Sequence, residues 1–166
     1  MSIIMSLSDI VIRTELRPGD IGFITYLHGK LYSEEYKYGI EFETYVAKGL
    51  VEFNKNYNPM TNRVWICEYE NKMIGCILLM DRKETAQLRY FLIEPAYRGM
   101  GLGQKLMDLY IKFLKQCGYK SSYLWTTNEQ SCAAHLYKKY GFVLTEEKES
   151  TAFGKQVMEQ RYQLIF

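Results

Sequence analysis

The amino-acid sequence predicts an α/β (α+β) fold, a mixed and mostly antiparallel central sheet flanked by helices. Three observations carry that expectation. Apolar residues switch repeatedly between a two-residue period and a helical stripe, in the order β-α-α-β-β-β-α-β-α-β-β. One segment, Gln87 to Cys117, joins a strand to an amphipathic helix through a glycine-rich turn. The 166 residues, 48% hydrophobic and 24% charged, suit one core, and a single domain over residues 1–166 is expected.

Ile10 to Ile12 reads as a short first strand. Pro18-Gly19-Asp20 is turn chemistry, with Asp20 as N-cap of a helix starting at Ile21; its stripe is Ile21, Ile24, Leu27, His28, Leu31 and Tyr32. A second helix follows Gly39 and repeats the spacing through Phe42, Tyr45, Val46, Gly49, Leu50 and Phe53, until Asn58-Pro59 stops it. Val64–Tyr69 and Met73–Met80, separated by a turn at Asn71, form an antiparallel pair. In the next strand Leu88, Tyr90 and Leu92 alternate with Arg89, Phe91 and Ile93, and Glu94-Pro95 ends it because proline has no N–H for a ladder. The long helix buries Leu106, Leu109, Tyr110, Phe113, Leu114 and Cys117, with Gly118 at its C′ position. Ser122–Thr126 is a fifth strand, Cys132–Tyr140 a short helix closed by Gly141, and Phe142–Glu146 and Gln156–Phe166 the last two strands. The polar stretch from Lys148 to Lys155 is expected to be a mobile tip.

Arg98-Gly99-Met100-Gly101-Leu102-Gly103 sets glycine on alternate positions directly before a helix. The first helical N–H groups have no intrahelical partner and carry the positive end of the helix dipole. Such a turn can hold an anion, most naturally a pyrophosphate, with Arg98, Gln104 and Lys105 adding donors. An ordinary strand-to-helix turn that binds nothing would use the same glycines. Two familiar phosphate loops do not fit: Gly103 is followed by Gln104-Lys105 rather than Lys-Ser/Thr, and the third glycine of the dinucleotide fingerprint is missing.

The segment resembles the acetyl-CoA loop of the GNAT acyltransferases, whose Arg/Gln-x-x-Gly-x-Gly/Ala pattern is matched by Arg98 to Gly103. Phe91-Leu92-Ile93-Glu94-Pro95 is similar to the end of that family's fourth strand. His135-Leu136-Tyr137-Lys138-Lys139-Tyr140-Gly141-Phe142 is similar to its Leu-Tyr-x-x-x-Gly-Phe segment. The resemblance implies transfer of an acetyl group from acetyl-CoA to an amine, with no metal. It also implies that the fourth and fifth strands splay apart, freeing backbone groups near Phe91, Leu92 and Ile93 for the pantetheine arm and the thioester. The pyrophosphate would rest on the N–H groups of Met100, Gly101, Leu102, Gly103, Gln104 and Lys105.

By the same resemblance Tyr137 would protonate the departing thiolate, since a phenol with a pKa near ~10 keeps its proton at neutral pH. A tyrosine that merely packs in the core is the competing reading. The family's cofactor-touching asparagine falls at Gln130 here, so Asn128 takes that role, with Thr126 and Thr127 as alternatives. An amine must lose a proton to attack. The bases on offer are Glu34, Glu35, Glu94 and His135; Glu35 borders the acceptor region and Glu94 the thioester, and a water relay to a carboxylate would serve equally. His135, two residues from Tyr137, points to a different face, and His28 reads as a satisfied core histidine.

The formal net charge is +2 with no basic run, so nucleic acid is not an expected partner. The N-terminus lacks a basic region, no apolar stretch reaches ~18 residues, and the four cysteines form no Cys-x-x-Cys pair; a cytoplasmic, reduced protein off the membrane is expected. Tyr32, Glu34, Glu35, Tyr36, Tyr38, Glu41 and Glu43 mix carboxylates with aromatics, which suits a small cationic amine or simply a solvated helix face. The sheet edge offers a route to a homodimer. A non-catalytic acyl-CoA sensor would share the loop and lack the chemistry.

Overall fold

Two-sided burial organises the molecule, whose computed structural model describes residues 5–166. The strands are β1 (Val11–Arg13), β2 (Arg63–Tyr69), β3 (Lys72–Asp81), β4 (Ala86–Ile93), β5 (Ser121–Thr127), β6 (Val143–Ser150) and β7 (Val157–Ile165). The helices are α1 (Asp20–Tyr36), α2 (Ile40–Lys55), α3 (Leu102–Gln116) and α4 (Ser131–Lys139), in the predicted order. β3 is buried from Met73 to Met80, which is why its sequence is a continuous apolar run rather than an alternation. One of its faces, with Ile74, Ile77 and Leu79, packs against Leu106, Tyr110 and Leu114 of α3. The other, with Cys76, Leu78 and Met80, packs against Ile24 and Leu27 of α1 and Val46, Leu50 and Phe53 of α2.

The seven strands lie in the order β1-β2-β3-β4-β5-β7-β6. All neighbours are antiparallel except β4 and β5. That parallel pair is joined only at Ala86–Ser122 and Gln87–Tyr123. Beyond Gln87 the two strands part, and β5 keeps its full ladder with β7 instead.

β4 contains a bulge that the simple alternation missed. Tyr90 has φ of 54°, in the left-handed region that bulky residues avoid. The register against β3 slips there, from Leu78–Arg89 to Cys76–Leu92. The extra residue reverses the strand's faces: Leu88 joins the α3 side, whereas Tyr90 and Leu92 join the α1/α2 side. Phe91 and Ile93 consequently pack toward α3.

Two further expectations are corrected. Gly19, with φ of 98°, is the N-cap of α1, and Asp20 is its first helical residue. Asp20 accepts from the Arg17 N–H at 2.7 Å and faces Arg13, so its carboxylate still closes the turn, from inside the helix. The Lys148–Lys155 stretch is no loose tip: β6 runs on to Ser150, paired with Val157. Phe153 is buried, 5.4 Å from the ring of Tyr38 and 5.1 Å from that of Phe42, and its carbonyl accepts from the Gly39 N–H. One aromatic side chain among polar neighbours anchors the connection. Among the described residues no helix is long and apolar enough to cross a membrane.

Candidate active site

The gap between β4 and β5 is lined by two cavities. Backbone groups on the β5-facing edge of β4 beyond Gln87 have no strand partner, so the sheet presents a row of polar atoms where its interior would otherwise be sealed. One cavity, about 380 Å³, lies toward the glycine-rich turn, bordered by Phe91, Leu92, Ile93, Arg98, Gly99 and Gly103 of the predicted set, with Tyr36, Cys132, Ala133 and Leu136. The other, about 80 Å³, lies on the α1/α2 side and is lined by His28, Phe42, Arg89, Tyr90, Thr126, Tyr137 and Glu159, among others. Tyr32, Phe91 and Gln130 border both, so the two meet at the bulge.

The turn has the local geometry that its glycines require. Gly99 and Gly101 take φ of 76° and 90°, and Gly101 is the N-cap of α3. The first intrahelical bond from this end is Lys105 N–H to the Gly101 carbonyl at 3.0 Å. The N–H groups of Leu102, Gly103 and Gln104 thus stay outside the helical ladder, while that of Lys105 is already engaged. The side chain of Leu102 is wholly buried, so that residue contributes backbone alone. Gln104 accepts from Lys139 Nζ at 3.0 Å.

Arg98 is tied down on two sides. Its Nε donates to the Ile93 carbonyl at 2.8 Å, and its two terminal nitrogens meet both carboxylate oxygens of Glu35 at 2.7 and 3.0 Å. Glu35 therefore belongs to the cavity with the glycine turn and has both oxygens engaged.

Tyr137 stands on α4 with its ring 6.2 Å from Phe91 and 6.1 Å from Phe142. It is 5% exposed, and burial raises its phenol well above the ordinary value. His28 is buried on α1, stacked on Tyr32 at 5.6 Å and edge-on to Tyr90 at 5.7 Å. Its Nδ1 lies 2.8 Å from the Ile24 carbonyl, which fixes the donor on that nitrogen and leaves Nε2 an acceptor. Burial lowers its pKa to about 4, against the opposing pull of the Ile24 bond. Contrary to the expected satisfied histidine, Nε2 has no partner among the described residues; the Tyr90 hydroxyl and Thr126 Oγ1 are buried and unpartnered too. All three residues line the smaller cavity. Buried unpaired polar atoms are rare, and several around one cavity mark a place for a polar ligand or water.

The remaining predicted residues fall elsewhere. Asn128 uses its side-chain oxygen to accept from the Met158 N–H at 3.0 Å and borders neither cavity. Gln130 stands at their junction, 3.5 Å from the Tyr32 hydroxyl. Thr127 pairs with the Tyr38 hydroxyl at 2.6 Å and lines the smaller cavity with Thr126. Glu94 stands at the N-cap of the short Pro95–Tyr97 turn, with its carboxylate 3.7 Å from Lys72 Nζ, and lines neither cavity. Glu34 and His135 are exposed and border neither.

Arg89 and Glu159 line the smaller cavity and were not among the expected residues. A guanidinium within the apolar run Leu88 to Ile93 was the available signal, since a charge in a buried strand needs a reason. Glu159 had no comparable signal, because it is one of three consecutive polar residues, Glu159-Gln160-Arg161, in β7.

The model of the acetyltransferase (GNAT) family matches residues 28–142 of the chain. An N-acetyltransferase of Methanocaldococcus jannaschii, called uncharacterized N-acetyltransferase MJ1207, is 29% identical over 92 residues, 51% of this chain and 39% of that protein. The chain spans less than two thirds of the length of the curated relatives that it matches first. Among solved structures, an acetyltransferase from Streptococcus agalactiae aligns at 21% identity with a TM-score of 0.75, over 95% of this chain and 99% of its own. A GNAT family acetyltransferase from Elizabethkingia anophelis, solved with acetyl-CoA bound, aligns at 18% identity with a TM-score of 0.66, over 95% and 99%.

Proposed function

The chain belongs to the GNAT acetyltransferase family, and from that premise we propose that it moves the acetyl group of acetyl-CoA onto the amine of a small molecule. The observation that carries this reading is the junction of two cavities at the β4 bulge, with Tyr137 buried beside it. The residues suit acetyl-CoA: free N–H groups at Leu102, Gly103 and Gln104 face an anion-seeking turn, and the unpaired edge of β4 matches an amide-bearing arm. Bound there, acetyl-CoA supplies an activated thioester. The chain's own part is to hold the phosphates on the turn and the arm along Phe91, Leu92 and Ile93, leaving the smaller cavity for the acceptor.

Attack by the amine nitrogen forms the C–N bond as the C–S bond breaks. The amine proton leaves to a base, and the thiolate takes the Tyr137 proton. Of the carboxylates first considered, Glu94 lies off the site and Glu35 is held by Arg98. We therefore assign the base role to Glu159, directly or through one water, because it lines the acceptor cavity. Glu35 becomes a positioning residue for the turn, and Gln130 takes the place first given to Asn128.

The test is thiol release from acetyl-CoA by purified protein with a panel of amines, alongside acetyl-CoA binding by calorimetry. Acceptor-dependent release with saturable binding is expected. Tight binding without release for any amine would replace the enzyme by a cofactor sensor.

A further inference from the structure

Arg89 brings an unneutralised guanidinium to the acceptor cavity. Among the described residues no carboxylate lies within ion-pair distance of it and none of its nitrogens meets an acceptor, although Arg82 nearby in sequence is paired with Glu52 at 2.6 Å. The guanidinium lies over the rings of Tyr45, at 5.1 Å, and Tyr90, at 4.7 Å. The room for it is made by Gly49 of α2. A Cβ at that position would lie 2.7 Å from Arg89 Nη2 and closer still to the Tyr90 hydroxyl. The missing side chain of Gly49 leaves room for the Tyr90 hydroxyl and the Arg89 guanidinium together, at two residues that line the cavity.

We propose that the acceptor carries a carboxylate as well as its amine, as an α-amino acid does, and that Arg89 holds that carboxylate. This inference rests on the acetyl transfer proposed above and names its substrate class. A planar guanidinium offers two parallel donors that match a carboxylate, which a lysine could not supply. Glu159 and His28 line the same cavity, and the carboxylate of Glu159 suits the amine end, so both signs of a zwitterion find a counterpart. A polycation would set one of its charges against Arg89. The cavity, about 80 Å³, admits only a compact molecule or the reacting end of a larger one.

The experiment uses the purified chain with acetyl-CoA and matched acceptor pairs: each amino acid and the amine that results from its decarboxylation, read by thiol release. For an accepted pair, kcat/KM for the carboxylated member should exceed that of its amine by about 10- to 100-fold. In Arg89→Gln that ratio should fall to near unity, chiefly through KM, while acetyl-CoA affinity is retained; Arg89→Lys, which keeps the charge and loses the fork, should recover part of the ratio. Equal or better use of the decarboxylated amines overturns the inference and leaves acetyl transfer standing. A preference for carboxylates that Arg89→Gln does not change overturns the assignment to Arg89. Thiol release with no member of any pair, under conditions where acetyl-CoA binds, overturns the proposed activity and this inference together.

Discussion

Glu35 and Arg98, 63 residues apart, meet as a two-point ion pair that ties the last turn of α1 to the glycine-rich turn before α3. Both side chains are partly exposed, so the pair itself stabilises the fold by no more than about 1 kcal/mol. Its value lies in position. Removing one charge frees Arg98 from one of its two anchors, and the turn proposed to receive the phosphates loses a fixed wall. Glu35→Gln should raise KM for acetyl-CoA about three- to tenfold with kcat little changed. Steady-state kinetics at saturating acceptor check this. A collapse of kcat with an unchanged KM for acetyl-CoA would return Glu35 to the role of base.

Tyr137→Phe removes one oxygen from a buried ring and leaves its contacts with Phe91 and Phe142 in place. Turnover should fall by about 100-fold or more with acetyl-CoA affinity intact. The pH dependence has a definite sign. The working form of a general acid is the protonated one, and burial raises the phenol further, so Tyr137 should impose no alkaline limb on kcat below about pH 10. An alkaline limb near neutrality that disappears in Tyr137→Phe would contradict the buried environment.

How much of this site could be read from the letters depends on what kind of signal each residue leaves. Gly99 and Gly101 were legible because left-handed φ values select glycine, and the turn stands where the glycines put it. The order of elements was legible because burial on one or two faces writes its period into the chain. The bulge at Tyr90 was not, since a single inserted residue leaves no composition signal, yet it decides that Tyr90 packs on the α1/α2 side of the sheet and Phe91 on the α3 side. Arg89 and Glu159 come together only through the strand order β4-β5-β7, a long-range fact. Phe153 was hidden for the opposite reason: polar neighbours disguised a residue whose environment is supplied by α2. Asn128 has the residue type the family position calls for, but its side-chain oxygen is taken by the Met158 N–H, a partner that β7 supplies and the local sequence does not reveal.

His28 should leave a mark on the pH dependence of stability. Its pKa is about 4 in the folded protein and 6.5 when free, so as pH falls from 6.5 toward 4 the unfolded chain takes up a proton that the folded one refuses. Stability is thus present above pH 6.5 and declines through that window, by up to about 3 kcal/mol at the low end. In urea titrations at pH 7 and pH 4.5, wild type should lose about 2–3 kcal/mol more between the two than His28→Gln. Equal losses would mean that His28 is protonated in the folded state.

Gly101→Ala asks a backbone question. An added Cβ would meet Leu7 at 3.5 Å, an ordinary contact, so any penalty comes from φ of 90° and not from a clash. The cost should be about 1 kcal/mol, seen as a modest fall in melting temperature. If the turn relaxes toward a right-handed conformation, the N–H groups of Leu102 to Gln104 change direction. KM for acetyl-CoA should then rise several-fold at constant kcat for a saturated enzyme. Unchanged cofactor affinity would show that the phosphates lie elsewhere.

The anchor of α1 supplies the last test, because that helix carries His28, Tyr32 and Glu35 into the site. Arg13 on β1 holds Asp20 through two bonds of 2.7 Å and Glu68 on β2 through one of 2.6 Å, with both Arg13 and Asp20 about 10% exposed. Burial alone would push Asp20 upward, but Arg13 and the Arg17 N–H outweigh it and hold the carboxyl below its usual range. A carboxyl lowered in this way stabilises the fold above its unfolded pKa and stops doing so only as pH drops through the lower folded value. The clasp should therefore persist at pH 4.5, where the His28 contribution is already fading. Arg13→Ala leaves two carboxylates facing each other with no cation between, and should cost about 3–5 kcal/mol. Asp20→Ala should cost less, since Glu68 still balances Arg13, and the double variant should fall short of the sum by about 1–2 kcal/mol. Strict additivity in a denaturation cycle would show that the three side chains are neighbours without being coupled, and the hold on α1 would then pass to its apolar face, Ile24, Leu27 and Leu31.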